Sequence, residues 1–600
     1  MYHRLVGQRF LRCYFVFLLL LQGCDQSPVL EASNETQRAP WPFGAMVTAA
    51  NPLAVDAGTQ MLMKGGNAVD AAIAAHLVLG LVEPQSSGLG GGAFLLHYDY
   101  ATRGTTFLDG RETAPAAATP DMFITEQGVM GYIEAWTSGK SVGTPGTVAL
   151  YFEAHQRYGS LPWATLFQPA IELADDGFIV SPRLAGYLPM MAKRSRLAKN
   201  PGVKDYFYPD GVPLAAGTRL KNPGYAATLK RIAREGPSAF YTGEIAASMV
   251  KAARLPPHSG DLTLADLEHY KVKVRPVICG PYLDLNLCTT APPSSGAAQI
   301  MVTSLYGHLR SSEGSEADRI AAFVDAQRLA YADRDHFFGD PDEIDVPVDT
   351  LVDPLYLKAR AEDRFAPSQV PTPGDVEAFI TSSEFTGFAP DTTEEMAGTT
   401  HLSIVDGFGN AVAMTATVEG PFGSQRWASG FLMNNEMTDF AKSVSEDGRP
   451  LANAVAPNRR PRSSMSPTMI FDAAGDLVLV TGSPGGNSIP AYVAKSIIGI
   501  LDWGLTPQAA VDHPNIIARG ETVRVEVATE RGQAIARDLE ARGYSVKRRE
   551  GENSGLHVIY VTPSGLQGAA DPRREGTVKA LPQPAQEQHP SSVRPSNLAP

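Results

Sequence analysis

Between positions 53 and 82 the apolar residues recur at helical spacing on both sides of Gly65-Gly66, and alanine is nearly continuous from Ala68 to Ala75. This pattern predicts a buried pair of helices. Helical periodicity also covers residues 162–174, 222–235, 264–270 and 316–334, and Thr263, three residues before Asp266, gives the third of these a capping-box start. After Thr399 the period shortens to that of strands. Leu402 and Ile404 alternate with Ser403 and Val405, Asp406-Gly407-Phe408-Gly409-Asn410 supplies turn chemistry, and a β-prone run resumes over residues 411–418. The expected hairpin pairs Asp406 with Ala411, which sets Thr400 opposite Thr417 and leaves Thr399 beside it. Short β-runs follow at residues 468–471 and 477–480, then a helix over 489–502. Helices and strands are interleaved, as in a layered α/β protein.

Six hundred residues suffice for several domains of about 100–200 residues each, yet no linker-like gap interrupts residues 42–578. With 51 basic against 64 acidic residues and no basic stripe carrying aromatics, nucleic acid is not an expected partner. Gly88-Leu89-Gly90-Gly91-Gly92 lacks the Gly-Lys-Ser/Thr of a phosphate loop and reads as close backbone packing. The Pro, Gln and Ser of residues 581–600 predict a disordered tail.

The N-terminus places Arg4, Arg9 and Arg12 ahead of a short apolar run, residues 14–21. That run falls short of the about 20 residues a membrane-spanning helix needs, and it suits the core of an export signal. Leu21-Gln22-Gly23-Cys24 resembles a bacterial lipobox, so residues 1–24 read as a signal ending in a lipidation site at Cys24, with plain secretory cleavage as the alternative. Gln22 departs from the small residue usual there, and Asp25 resembles an inner-membrane retention signal. Residues 25–41 read as a tether. Cys279 and Cys288 flank Gly280-Pro281 and a run that alternates in strand fashion, which makes them a candidate disulfide in an oxidising compartment. Neither their spacing nor nearby histidines suggests a metal site, and no cofactor is called for.

The chemistry points to Ala397-Gly398-Thr399-Thr400-His401. A threonine hydroxyl is a poor nucleophile without a base in reach. Cutting the chain after Gly398 gives Thr399 a free amine that titrates at about 7.7–8.0, so hydroxyl and base share one residue. Thr417, across the hairpin, is positioned to orient one or the other.

These residues resemble the γ-glutamyltranspeptidases, self-cleaving members of the N-terminal nucleophile hydrolases. The resemblance spans residues 42–578 and rests on an ordered set of motifs: Gly66-Asn67-Ala68-Val69-Asp70-Ala71-Ala72, Leu89-Gly90-Gly91-Gly92, Asp109-Gly110-Arg111-Glu112, Gly143-Thr144-Pro145-Gly146, Pro292-Pro293-Ser294-Ser295-Gly296, Thr399-Thr400-His401, Asn434-Asn435-Glu436-Met437-Thr438-Asp439-Phe440, Ser463-Ser464-Met465-Ser466-Pro467-Thr468 and Gly482-Ser483-Pro484-Gly485-Gly486. It implies a four-layer αββα sandwich, cleavage between Gly398 and Thr399, a large fragment of residues 42–398, a small one of 399–580, and a heterodimer of the two.

The resemblance also implies roles. Thr399 is the nucleophile, and Gly485 and Gly486 form the oxyanion hole. Glu436, Asp439 and Glu419 hold the ammonium of a γ-glutamyl head, while Arg111, Ser463 and Ser464 hold its carboxylate, as a guanidinium's planar fork suits. Two departures stand out: Arg462 replaces the usual leucine before the serine pair, and residues 441–462 contain no aromatic, although many members carry a gating tyrosine there. The implied activity is transfer of γ-glutamyl groups from glutathione and related compounds to water or to amino acid and peptide amines. The alternatives are a glutaryl (cephalosporin) acylase, a poly-γ-glutamate-processing enzyme and, from another class, a non-catalytic peptide-binding lipoprotein.

Overall fold

A computed structural model describes residues 40–583 except 364, 381–386 and 392. The signal, Cys24 and nearly all of the tether lie outside the described residues, as do residues 584–600 of the expected tail. Within the described part of that tail, Leu581 is the last residue of a strand, Thr577–Leu581, paired to the first strand of the fold.

Two antiparallel sheets form the centre. The first has seven strands in the order Thr577–Leu581, Ala45–Ala49, Gly398–Val405, Ala411–Glu419, Gly92–Asp99, Gly104–Gly110 and Lys273–Arg275. The second has six, in the order Gly565–Ala570, His557–Thr562, Leu477–Gly482, Thr468–Phe471, Leu285–Thr290 and Val277–Tyr282. They pack face to face, the helix pair Pro52–Met63 and Ala68–Val82 covering the first and helices Gly296–Leu309 and Ile489–Leu501 covering the second. This is the αββα sandwich. Cys279 and Cys288 are opposite one another on neighbouring strands, and their sulfurs are bonded.

Alternation along the central hairpin determines what each layer receives. Leu402, Ile404, Val412 and Met414 join the core beneath the helix pair. Residues of the other parity face the second sheet. His401 binds Thr415 Oγ1 at 2.8 Å and Ser403 Oγ at 3.0 Å, and Ser403 Oγ donates to the His557 carbonyl at 2.9 Å, so these polar groups are satisfied between the sheets. Gly482 lies against the His401 ring, where a Cβ would come within 2.3 Å of it. Thr399 and Thr417 share this inward parity.

The register differs from the expectation by one residue. Val405, rather than Asp406, pairs with Ala411, and Thr399 itself is opposite Thr417. The cause is the Asp406 side chain, which folds the turn inward: it accepts from the Phe408 and Asn410 amides at 2.9 Å each and from Asn410 Nδ2 at 3.0 Å, while the Asp406 amide donates to the Asn410 carbonyl. Its other oxygen role reaches across the layers to the Ala68 amide, 3.0 Å away at the start of helix Ala68–Val82, where a carboxylate is favoured. One carboxylate thus ties the hairpin to the helix pair. Asp406→Ala leaves those donors unmatched and is expected to cost about 2–4 kcal/mol. A lowered thermal midpoint and slowed appearance of cleaved chains will show it; an unchanged midpoint would contradict this reading of the turn.

Candidate active site

The junction between Gly398 and Thr399 is held at four successive residues. The Met396 amide donates to Glu419 Oε1 at 2.7 Å, the Ala397 carbonyl accepts from Asn553 Nδ2 at 3.1 Å, the Gly398 carbonyl accepts from Thr417 Oγ1 at 3.0 Å, and the Thr399 carbonyl accepts from Arg574 Nη1 at 2.7 Å. A bulge falls at the bond itself: Gly398 is opposite Glu419 whereas Thr399 is opposite Thr417, so Val418 is the extra residue. Glu419, at the end of that strand, takes a left-handed φ of 72°, a strained conformation for a non-glycine residue. Gly398 has no room for a side chain, since a Cβ there would lie 2.3 Å from the Glu419 carbonyl oxygen.

Proton counting orients the threonine pair. Thr399 Oγ1 and Thr417 Oγ1 are 3.1 Å apart, and the Glu419 amide donates to Thr417 Oγ1 at 2.8 Å. A hydroxyl has one proton to give. Thr417 gives its proton to the Gly398 carbonyl, which can only accept, so the Thr399 hydroxyl donates to Thr417.

Around Thr399 the fold gathers Arg111, Thr417, Glu419, Glu436, Asp439, Ser463 and Gly486 into one cleft of about 10 Å3, together with Glu395 and Met396 of the segment ahead of the junction. Gly485 faces the neighbouring cavity instead. Both glycines are required by their surroundings: a Cβ at Gly486 (φ 56°) would lie 2.3 Å from the Glu395 carbonyl oxygen, and one at Gly485 would meet the Tyr492 ring at 2.5 Å.

Charge is concentrated here. Arg111 is ion-paired with Glu436 and, at 2.6 Å, with Asp439, and its Nη2 also donates to the Arg462 carbonyl at 2.9 Å. The cation and the acids expected to grip opposite ends of a substrate head are thus bonded to each other, as buried charges require. Burial works against the Arg111 charge, but Glu436 and Asp439 outweigh it and raise its pKa. Burial also raises the carboxyls of Glu419, Glu436 and Asp439 well above their ordinary range, and pushes Glu112, whose oxygens lack hydrogen-bond partners, up to about 7. One guanidinium among four carboxyls leaves the site short of positive charge.

Ser464 is bound to Glu395, which lines the cleft. Its amide donates to Glu395 Oε2 at 2.8 Å, and its hydroxyl accepts from Arg334 Nη2 at 2.7 Å. Arg334 Nη2 also lies 2.5 Å from Glu395 Oε1. Arg462, which departs from the usual leucine, is buried and pairs with Asp391 at 3.1 Å and Glu395 at 3.9 Å. Burial opposes the Glu395 charge, yet Arg334 and Arg462 outweigh it and hold its pKa below the ordinary value.

Sequence reasoning passed over Arg334, Glu395, Asn553 and Arg574. Arg334 closes a predicted helix and Arg574 follows Asp571-Pro572-Arg573, places that carry no local sign of a distant partner. Tyr132 was also missed. Its hydroxyl is buried without a hydrogen-bond partner, and burial together with the charges of Glu419 and Asp439 raises its pKa. The Lys442 ammonium lies 5.9 Å from its ring centre, so an aromatic from helix Tyr132–Trp136 stands beside the aromatic-free loop.

The model of the gamma-glutamyltranspeptidase family matches residues 54–581. The chain belongs to the gamma-glutamyltranspeptidase family. It is 37% identical over 549 residues to a glutathione hydrolase proenzyme of Escherichia coli, covering 88% of this chain and 90% of that relative. An acylase proenzyme of a Pseudomonas species is 34% identical over 548 residues, covering 89% and 93%. Among solved structures, a cephalosporin acylase from Bacillus halodurans superposes with a TM-score of 0.77 at 26% identity, covering 93% of this chain and 99% of that one. The gamma-glutamyltranspeptidase of Helicobacter pylori gives 0.52 at 32% identity, covering 56% and 97%.

Proposed function

We propose that this gamma-glutamyltranspeptidase family member cuts itself between Gly398 and Thr399 and then uses Thr399 to move γ-glutamyl groups from glutathione and related amides to water or to amines. The observation that carries this reading is the Thr399–Thr417–Gly398 chain of contacts inside an acid-rich cleft. In the first stage Thr399 Oγ bonds to the Gly398 carbonyl carbon, the Gly398–Thr399 C–N bond breaks, and the hydroxyl proton passes to the departing nitrogen. Thr417, already donating to that carbonyl, stabilises the charge that builds on its oxygen. Water then hydrolyses the ester, leaving a carboxylate on Gly398 and a free amine on Thr399.

In the second stage the Thr399 amine takes the hydroxyl proton as Oγ bonds to the γ-amide carbon, the amide C–N bond breaks and the departing amine receives that proton, and the acyl-enzyme ester then passes its group to water or an acceptor amine. Gly485 and Gly486 supply the oxyanion hole, Arg111, Ser463 and Ser464 the carboxylate site, and Glu419, Glu436 and Asp439 the ammonium site. The large fragment (42–398) and the small one (399–580) remain a heterodimer because each sheet contains strands from both. Strand Gly398–Val405 lies beside Ala45–Ala49, and Leu285–Thr290 beside Thr468–Phe471.

An acylase reading has support in the similarity to the two acylases. A glutaryl group, however, lacks an ammonium, and a cleft with four carboxyls around one guanidinium favours a head that brings positive charge. We also assign the protein to the bacterial periplasm, membrane-anchored through Cys24, with secretion as the alternative; the Cys279–Cys288 bond fits an oxidising compartment.

Two assays test these assignments. A γ-glutamyl anilide should be turned over in preference to the glutaryl anilide, and Asp439→Ala should raise KM for the γ-glutamyl donor by about tenfold or more, since a buried charge pair to the ammonium is lost. Preference for glutaryl would overturn the substrate assignment. Radiolabelled palmitate should enter the wild type and not Cys24→Ala; equal labelling of both would remove the anchor.

A further inference from the structure

Resting on the self-cleavage reading, we propose that Glu83 is a positioning residue for the cut. One buried carboxylate steadies the two arginines through which the fold holds the carbonyls on either side of the Gly398–Thr399 bond.

Glu83 closes the C-terminal end of helix Ala68–Val82, its amide donating to the Leu79 carbonyl at 2.8 Å. At its other end this helix takes the Asp406 carboxylate, where the helix dipole favours it; Glu83 stands where the dipole opposes it. It is also fully buried, and neither of its oxygens has a hydrogen-bond partner among the described residues. Burial raises its pKa, Arg183 and then Arg574 oppose that rise, and Glu575 adds to it. A carboxylate in so costly a place answers to those two cations.

The first arginine reaches the Ala397 carbonyl through an amide. Arg183, in the first turn of helix Pro182–Arg194, has Nε 3.7 Å from Glu83, and its Nη2 donates to Asn553 Oδ1 at 3.2 Å. That bond decides which way Asn553 faces, since an amide oxygen that accepts from a guanidinium leaves the NH2 group to point elsewhere. Asn553 Nδ2 then donates to the Ala397 carbonyl at 3.1 Å.

The second arginine reaches the other side directly. Arg574 is buried, and its Nη1 donates to the Thr399 carbonyl at 2.7 Å, its Nη2 to the Asn553 carbonyl at 3.2 Å and its Nε to the Ser554 carbonyl at 3.3 Å. Burial and the Arg183 charge lower its pKa to about 10, and Glu83 is the foremost of the charges that oppose this. Glu83 therefore serves both arms at once, keeping two mutually repelling guanidiniums close together.

The arms flank the carbonyl that is attacked. With the carbonyls of residues 397 and 399 both held, the peptide between them has little freedom to turn the Gly398 carbon away from the Thr399 hydroxyl. After the cut only the Thr399 arm still acts on the reacting residue. The Glu83 charge thus matters more to self-cleavage than to turnover.

The test follows the full-length chain made by cell-free synthesis, in which the appearance of two fragments gives a first-order rate of self-cleavage. It then measures kcat/KM per cleaved chain with γ-glutamyl-4-nitroanilide. Glu83→Gln keeps the shape and removes the charge. It should slow self-cleavage by about tenfold or more and lower kcat/KM per cleaved chain by no more than about threefold. Glu83→Asp, which restores the charge, should recover most of the cleavage rate. Asn553→Ala, at a half-buried position, tests one arm alone and should also slow self-cleavage. The proposal is overturned by a Glu83→Gln cleavage rate within about twofold of the wild type, by equal losses of cleavage and turnover, by no recovery in Glu83→Asp, or by wild-type cleavage in Asn553→Ala. If the wild type itself stayed whole, the self-cleavage reading would fail first and this inference with it.

Discussion

The chemistry proposed for this chain depends on a single cross-strand pairing, Thr399 opposite Thr417. Side chains on a strand alternate faces, so a slip of one residue would send Thr399 toward the helix pair and away from the cleft between the sheets. Asp406 prevents the slip by satisfying the turn amides and the first turn of helix Ala68–Val82 together. The bulge at Gly398 and the side chains on the carbonyls of residues 397, 398 and 399 then fix the bond proposed to be cut. The backbone there is held from several elements before any chemistry begins.

Charge makes the second constraint. The cleft brings together more buried carboxyls than one guanidinium can neutralise, and burial raises their pKa values accordingly. Glu395 adds a further carboxylate at the edge of this cleft, held by the Ser464 amide and the Arg334 guanidinium. A side chain of the segment just ahead of the proposed cut therefore lies on a group assigned to the substrate carboxylate. This accounts for a cleft of only about 10 Å3 around Thr399, while the adjoining cavity is open.

Much of the layering was legible in the sequence because it follows from local rules. The helix pair around Gly65-Gly66, the capping box at Thr263 and Asp266, and the strand Thr468–Phe471 all stand where period and caps place them. The hairpin was legible but its register was not, since turn residues alone do not say which way Asp406 will direct its carboxylate. Arg462 carried no signal of its destination either, because its partners Asp391 and Glu395 lie about 70 residues earlier in the chain. Arg574 meets the Thr399 carbonyl across an even longer separation. The end of the fold was misjudged for a related reason: Leu581 belongs to a strand whose partner, Ala45–Ala49, lies at the opposite end of the sequence.

Mapping the chain ends of purified protein, with activity followed as cleavage proceeds, tests the central claim most directly. The account predicts two polypeptides, the smaller beginning at Thr399, activity that rises in step with the cleaved fraction, and a Thr399→Ala protein that stays whole and inactive. Full activity in a polypeptide still continuous from Gly398 to Thr399 would contradict it.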